Sequence, residues 1–171
     1  TVNSAYEIDE LFGGGNGKPT STFANPGADI GLRALTTGGT PYAKDPTKEA
    51  YGTGKAVSKL IAGKVHVVYG GSNTKGNVRQ IAVTMLEESS GCDFVVDEAY
   101  GGGKSANMDG EARLGMKCIP GLNAAYGGAE NADISNNVTL NITNGKFGQV
   151  FGGNNRGGRI MGSITVNIEE T

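Results

Sequence analysis

The chain has 171 residues and a net charge of −2, from fifteen Lys and Arg against seventeen Asp and Glu; that is enough for one domain with a core, and no block of like charge marks a nucleic-acid tail or a polybasic membrane patch. Two cysteines and a single histidine are too few for a four-ligand zinc centre, and no run of eighteen apolar residues marks a membrane-spanning helix. Thirty glycines without a Gly-X-Y period exclude collagen and point to glycine used in turns.

In chain order, the first signal is Phe12-Gly13-Gly14. An aromatic followed by two glycines returns at Tyr69, Tyr100, Tyr126 and Phe151, at spacings of 57, 31, 26 and 25 residues. The first spacing is close to two units, and a period of 25–31 residues belongs to solenoid architectures. Ile8, Val65, Val96, Leu122 and Phe147 each precede one of these aromatics by four residues, which reads as an inward stripe carrying the aromatic on the same face.

Residues 13–54 interrupt the repeat with four of the five prolines, Asn25-Pro26-Gly27 and the charged run Lys44 to Glu49. This stretch reads as a long insertion or a cap over one end, with a short strand or helical turn near Ala28 to Leu35. Regular coils are expected over 56–171. Ala56 to Ile61 reads as a strand or a short helix, and Gly63-Lys64-Val65-His66-Val67-Val68-Tyr69 restores the repeat by matching Gly145-Lys146-Phe147-Gly148-Gln149-Val150-Phe151. Ile81, Val83 and Met85, and then Leu114, Met116 and Cys118, are the expected inward positions of the next strands.

The last units are the most regular. Val138 to Thr143 alternates strictly and runs into the turn pair Asn144-Gly145; Ser163 to Ile168 copies it at an offset of 26. Val138, Leu140 and Ile142 then fall on Ile164, Val166 and Ile168, and Asn137, Thr139 and Asn141 fall on Ser163, Thr165 and Asn167. Stacked as parallel strands about 4.8 Å apart, they make one apolar column inside and one Thr/Asn/Ser column outside. The expected fold is all-β: a right-handed parallel β-helix, or β-solenoid, forming one domain over 1–171. The chain starts without methionine and stops partway through a unit, so a longer parent is expected. Each corner is expected at Phe12, Tyr69, Tyr100, Tyr126 or Phe151, with Gly70, Gly101, Gly127 and Gly152 taking the sharp turn where a side chain would obstruct it.

Alternating Thr/Val/Asn strands ending in Val150-Phe151-Gly152-Gly153-Asn154 or Ala99-Tyr100-Gly101-Gly102-Gly103 resemble the glycine-rich β-helix repeats of large bacterial cell-surface and adhesin-like proteins. The resemblance covers most of residues 56–171. It implies a structural or adhesive segment without catalysis, extracellular or at the cell surface, whose partners are adjoining coils of the parent and host glycans or proteins. The alternative is a carbohydrate-active β-helix of polysaccharide lyase or glycosidase type, or a glycan-binding module.

Candidate chemistry is sparse. Cys92 and Cys118 each lie eight residues before an aromatic, and stacked Cα atoms about 4.8 Å apart permit a disulfide; an alignment of Cys118 with Ile142 instead makes them reduced apolar fillers. Asp93, Asp97, Glu98, Asp109 and Glu111 form an acidic set whose first three members are the catalytic candidates of the enzyme alternative, with Asp29 on the insertion as a further acid. Arg113 and Lys117 are near enough to neutralise the set as surface charge. His66 reads as an ordinary outward residue, without a metal partner or a Ser-His-Asp order. The glycine-lysine stretches at 13–18, 52–55 and 101–105 lack the glycine spacing of a phosphate loop. Gly152 to Gly158 lacks the aspartates of calcium-binding nonapeptides. No cofactor or metal is called for.

Overall fold

The computed structural model describes residues 2–18, 28–31, 36–37, 40–41, 54–86 and 94–169. Its elements are all strands: β1 (Val2–Phe12), β2 (Thr36–Thr37), β3 (Thr40–Pro41), β4 (Lys55–Tyr69), β5 (Ile81–Leu86), β6 (Val95–Tyr100), β7 (Glu111–Tyr126), β8 (Val138–Phe151) and β9 (Ile164–Ile168). Every pairing in the main sheet is parallel, in the order β1-β4-β5-β7-β8-β9 with β6 between β4 and β7. The chain is a parallel β-solenoid of about four turns.

Each turn has two strand segments. The first stacks Val57, Val83, Arg113, Thr139 and Thr165 in one column and Ala56, Ala82, Ala112, Val138 and Ile164 in the next. The second stacks Tyr69, Tyr100, Tyr126 and Phe151, with Phe12 below. Between them the chain bends inside what is otherwise a continuous strand, and positive φ marks the bend: Gly63 at 100°, Cys118 at 55° and Gly145 at 144°. The Asn144-Gly145 turn therefore kinks β8 instead of dividing it. Past the aromatic, Val78, Met108, Ile134 and Ile160 return the chain through isolated parallel bridges, beginning with Ile30 on Val78.

The glycine pair makes the other corner by close approach, not by an unusual φ. A Cβ on Gly70 would stand 2.3 Å from the Gly101 carbonyl oxygen, one on Gly101 2.2 Å from that of Gly127, and one on Gly127 2.4 Å from that of Gly152. Hydrogen bonds run through these corners, as Gly101 N donates to the Tyr126 carbonyl at 3.0 Å and Gly127 N to that of Phe151 at 2.8 Å. A side chain there would break the ladder.

The main core joins Leu60, Leu86, Met116 and Ile142 of the first segments to Val65, Val96, Leu122, Val68, Ala99 and Ala125 of the second. In β8 and β9 the pairing is Val138 on Ile164, Leu140 on Val166 and Ile142 on Ile168. Three expectations are corrected. In β5 the buried residues are Ala82, Thr84 and Leu86, not Ile81, Val83 and Met85, because the segment is apolar on both faces and its register on Ala112, Leu114 and Met116 selects the phase. In β7 Met116, not Cys118, lies against Ile142. The aromatics do not share the inward stripe: Val65 and Val68, three residues apart, both enter the main core, so alternation breaks between them. Tyr69, next to Val68, joins a separate cluster with Tyr100, Tyr126, Phe12 and Val67. Its rings are stacked, with centroids 4.7 to 5.0 Å apart, and the three tyrosines are buried.

Of residues 13–54, Gly13 to Asn16, Ile30 and Gly54 take part in the stack. Asn73 N donates to the Gly15 carbonyl at 2.9 Å and Ile30 N to the Asn77 carbonyl at 2.9 Å, while β2 and β3 form a small antiparallel pair. The strand or helical turn expected near Ala28 to Leu35 includes Ile30, a bridge residue; residues 32–35 lie outside the described residues. Ala56 to Ile61 is strand throughout.

Candidate functional site

The densest polar chemistry lies on the second strand segment and the loops beside it. Glu7, Lys64, His66 and Asp97 come from β1, β4 and β6. Lys64 Nζ and His66 Nε2 both lie 2.8 Å from Glu7 Oε1, and His66 Nδ1 lies 2.6 Å from Asp97 Oδ2. His66 is thus held between carboxylates of the coils on either side, which corrects its reading as an ordinary surface residue. Asp97 and then Glu7 raise the His66 pKa, while Lys64 and then His66 lower that of Glu7. A ring protonated at both nitrogens donates to both carboxylates.

Next to it runs the tyrosine stack. Tyr69 Oη donates to Glu130, Tyr100 Oη donates to Glu98 Oε2 at 2.9 Å, and Asn155 Nδ2 donates to Tyr100 Oη at 2.9 Å. Burial first, and then the facing carboxylate, pushes both phenols above their ordinary range. They remain protonated donors at any physiological pH. Lys104 Nζ reaches Glu10 Oε1 at 2.5 Å while lying 5.9 Å from the Tyr69 ring centroid.

The expected acidic cluster is dispersed. Asp97 is engaged by His66 and Glu98 by Tyr100; Asp109 accepts from Arg79 Nη1 at 2.8 Å, and Glu111 from Arg113 Nη2 at 2.7 Å. Asp93 lies outside the described residues. Asp29 accepts from Arg79 Nη2 and from Asn77 N, the latter at 2.9 Å, so Arg79 ties the insertion to the coil that carries Asp109. Among the described residues no group of three or more His, Cys, Asp or Glu side chains is placed to hold a metal ion. Cys118 is disulfide-bonded; Cys92, the chain's other cysteine, lies outside the described residues.

Glu7, Lys64, Arg79, Glu130, Asn154 and Asn155 were not apparent as polar partners. Two of their contacts carry a sequence signal, since Glu7 to Lys64 and Ala129 to Asn154 repeat the aromatic spacings of 57 and 25, as His66 to Asp97 repeats that of 31. Tyr69 to Glu130 follows no such spacing. Asn154 braces the glycine corner, accepting from Ala129 N at 2.8 Å and donating to the Ala132 and Gly157 carbonyls at 2.9 and 3.0 Å.

A scan against protein-family models, a search of curated proteins and a search of solved structures each match nothing to this chain.

Proposed function

We propose that this chain is a rigid structural and adhesive β-solenoid segment of a bacterial cell-surface or secreted protein, holding loops at fixed spacing for host glycans or proteins. One observation carries the reading: the charged and phenolic groups of the candidate site are spent on partners within the stack, most of them one or two coils away. His66 has carboxylates at both nitrogens, Tyr69 and Tyr100 donate to Glu130 and Glu98, and Lys64 and Lys104 pair with Glu7 and Glu10. A catalytic acid or base needs an open path to substrate, whereas bonds between successive coils keep a stack in register. The disulfide-bonded state of Cys118 suits an oxidising extracellular setting.

The test is retention on arrays of glycans and extracellular matrix proteins, with the chain compared to a variant in which residues 19–53 are replaced by a short Gly-Ser linker. Binding through the insertion predicts retention by the full chain and its loss in the variant. Equal retention would move the adhesive face to the coils. Turnover of any member of a polysaccharide panel, abolished by Asp97→Ala or Glu98→Ala, would refute the non-catalytic reading.

A further inference from the structure

Packing alone asks for apolar rings, yet three adjacent positions of the aromatic stack are tyrosines. Phe12, Tyr69, Tyr100, Tyr126 and Phe151 follow one another with centroids 4.7 to 5.0 Å apart and planes within 12° of parallel. A phenol gives up an electron more readily than a phenyl ring, because its oxygen lone pair feeds the ring. A hole placed in this stack is therefore confined to the three tyrosines that Phe12 and Phe151 flank. Tyr69 and Tyr100 are 2 % and 1 % accessible, so a radical formed on either is shielded from coupling with another radical in solution.

A phenol that has lost an electron is a strong acid, and its proton needs an acceptor at hydrogen-bond distance. Tyr69 Oη donates to Glu130, and Tyr100 Oη donates to Glu98 Oε2 at 2.9 Å. Before oxidation the proton stays in place, because burial and then the facing carboxylate hold both phenols above their ordinary range; electron and proton leave together. The surroundings single out Tyr100. Lys104 Nζ, bonded to Glu10, lies 5.9 Å from the Tyr69 ring centroid, and a cation over a ring opposes positive charge within it. Glu130 is shared with Arg156, whose Nε is 3.4 Å away, whereas no Lys or Arg among the described residues pairs with Glu98. Asn155 Nδ2 donates to Tyr100 Oη at 2.9 Å, a bond that the oxygen keeps after its own proton has gone.

We infer that the tyrosine stack is a redox site that gives one electron to radical oxidants reaching the protein, with Tyr100 holding the resulting neutral radical and Glu98 accepting its proton. Peroxyl radicals are the class of oxidant it takes. The peroxyl radical gains the electron and becomes a hydroperoxide anion, the Tyr100 O–H bond breaks, and the proton passes to Glu98 Oε2. A reductant such as ascorbate or a thiol then returns the electron, is itself oxidised by one electron, and Glu98 returns the proton. Tyr69 and Tyr126, each one ring spacing from Tyr100, pass a hole inward to it. An electron, unlike a substrate, crosses packed side chains and needs no open path. The site goes beyond the structural and adhesive reading and does not rest on it.

Flash oxidation of the folded chain with photogenerated tris(bipyridine)ruthenium(III) tests the inference, read by the near-ultraviolet absorption and the electron paramagnetic resonance of a tyrosyl radical. The expected result is a radical that outlives the one made in the same way on N-acetyltyrosinamide and that ascorbate erases. Its long-lived fraction should be lost in Tyr100→Phe and kept in Tyr6→Phe, since Tyr6 Oη donates to the Ala62 carbonyl, which is no base. Glu98→Gln keeps an acceptor oxygen but removes the base, and should slow radical formation. Phe12 and Phe151 show that a phenyl ring fits the column, and far-UV circular dichroism verifies that each variant stays folded. A chain that forms no radical, or one that decays as fast as that of the amide, overturns the inference. A long-lived radical indifferent to Tyr100→Phe, or one formed at an unchanged rate in Glu98→Gln, overturns it as well.

Discussion

At the scale of single residues, neighbours one coil away decide what a side chain does. Thr84 is buried in the column that continues as Leu114 and Leu140, and among the described residues its hydroxyl has no hydrogen-bond partner. A buried, unpartnered hydroxyl costs about 1 to 3 kcal/mol. Thr84→Val should therefore raise the urea midpoint, whereas Thr84→Ala, which removes the same hydroxyl but leaves a cavity, should gain less. His66 sets a pH dependence. Its folded pKa lies above the ordinary 6.5 because of Asp97 and Glu7, so its contribution is full below the unfolded pKa and is lost as pH rises through the folded one. Glu7 has its pKa lowered, so its contribution is present above its unfolded pKa and is lost on acidification. The melting-temperature difference between the chain and His66→Gln should accordingly be largest in the mildly acidic range between those limits and shrink towards alkaline pH; a difference that is flat with pH would deny the ion pairs.

At the scale of elements, the two corners of each turn use different physics. The aromatic-Gly-Gly corner is a matter of space: Gly101→Ala would drive a methyl to 2.2 Å from the Gly127 carbonyl oxygen, at a cost of about 3 kcal/mol. Gly121→Ala is the internal control, since a Cβ there meets nothing within 4 Å and alanine restricts the unfolded chain. Equal thermal shifts for the two variants would contradict the close-approach account. The other corner is a matter of dihedral angle, and Cys118 adopts at 55° the left-handed conformation that glycine adopts at positions 63 and 145. A non-glycine residue held there carries strain.

For the whole molecule, stability is a sum of nearest-neighbour interfaces along one axis. β6 has partners on both sides and β7 pairs with β5, β6 and β8, while β1 and β9 have one neighbour each among the described strands. Amide hydrogen exchange should be slowest in β6 and β7 and fastest in β9, with β1 intermediate because Tyr6 Oη donates to the Ala62 carbonyl and Glu7 pairs with Lys64. Uniform protection would mean a single cooperative unit.

What the sequence determined by itself is the repeat and its consequences: a β-solenoid with aromatic-Gly-Gly corners, and the register of β8 on β9. A fixed offset and a two-residue alternation are one-dimensional patterns, and parallel stacking copies them into space without distortion. Only the tertiary structure decided the rest. The phase of β5 was ambiguous because both of its faces are apolar, and pairing with β7 chose Ala82, Thr84 and Leu86. Alternation fails between Val65 and Val68, which turns Tyr69, Tyr100 and Tyr126 into a stack outside the main core. His66 acquired its carboxylates, and Tyr69 its bond to Glu130, from residues 31 to 61 positions away. Contacts between columns depend on where the chain bends, and a bend is a property of the packed coil that no local pattern records.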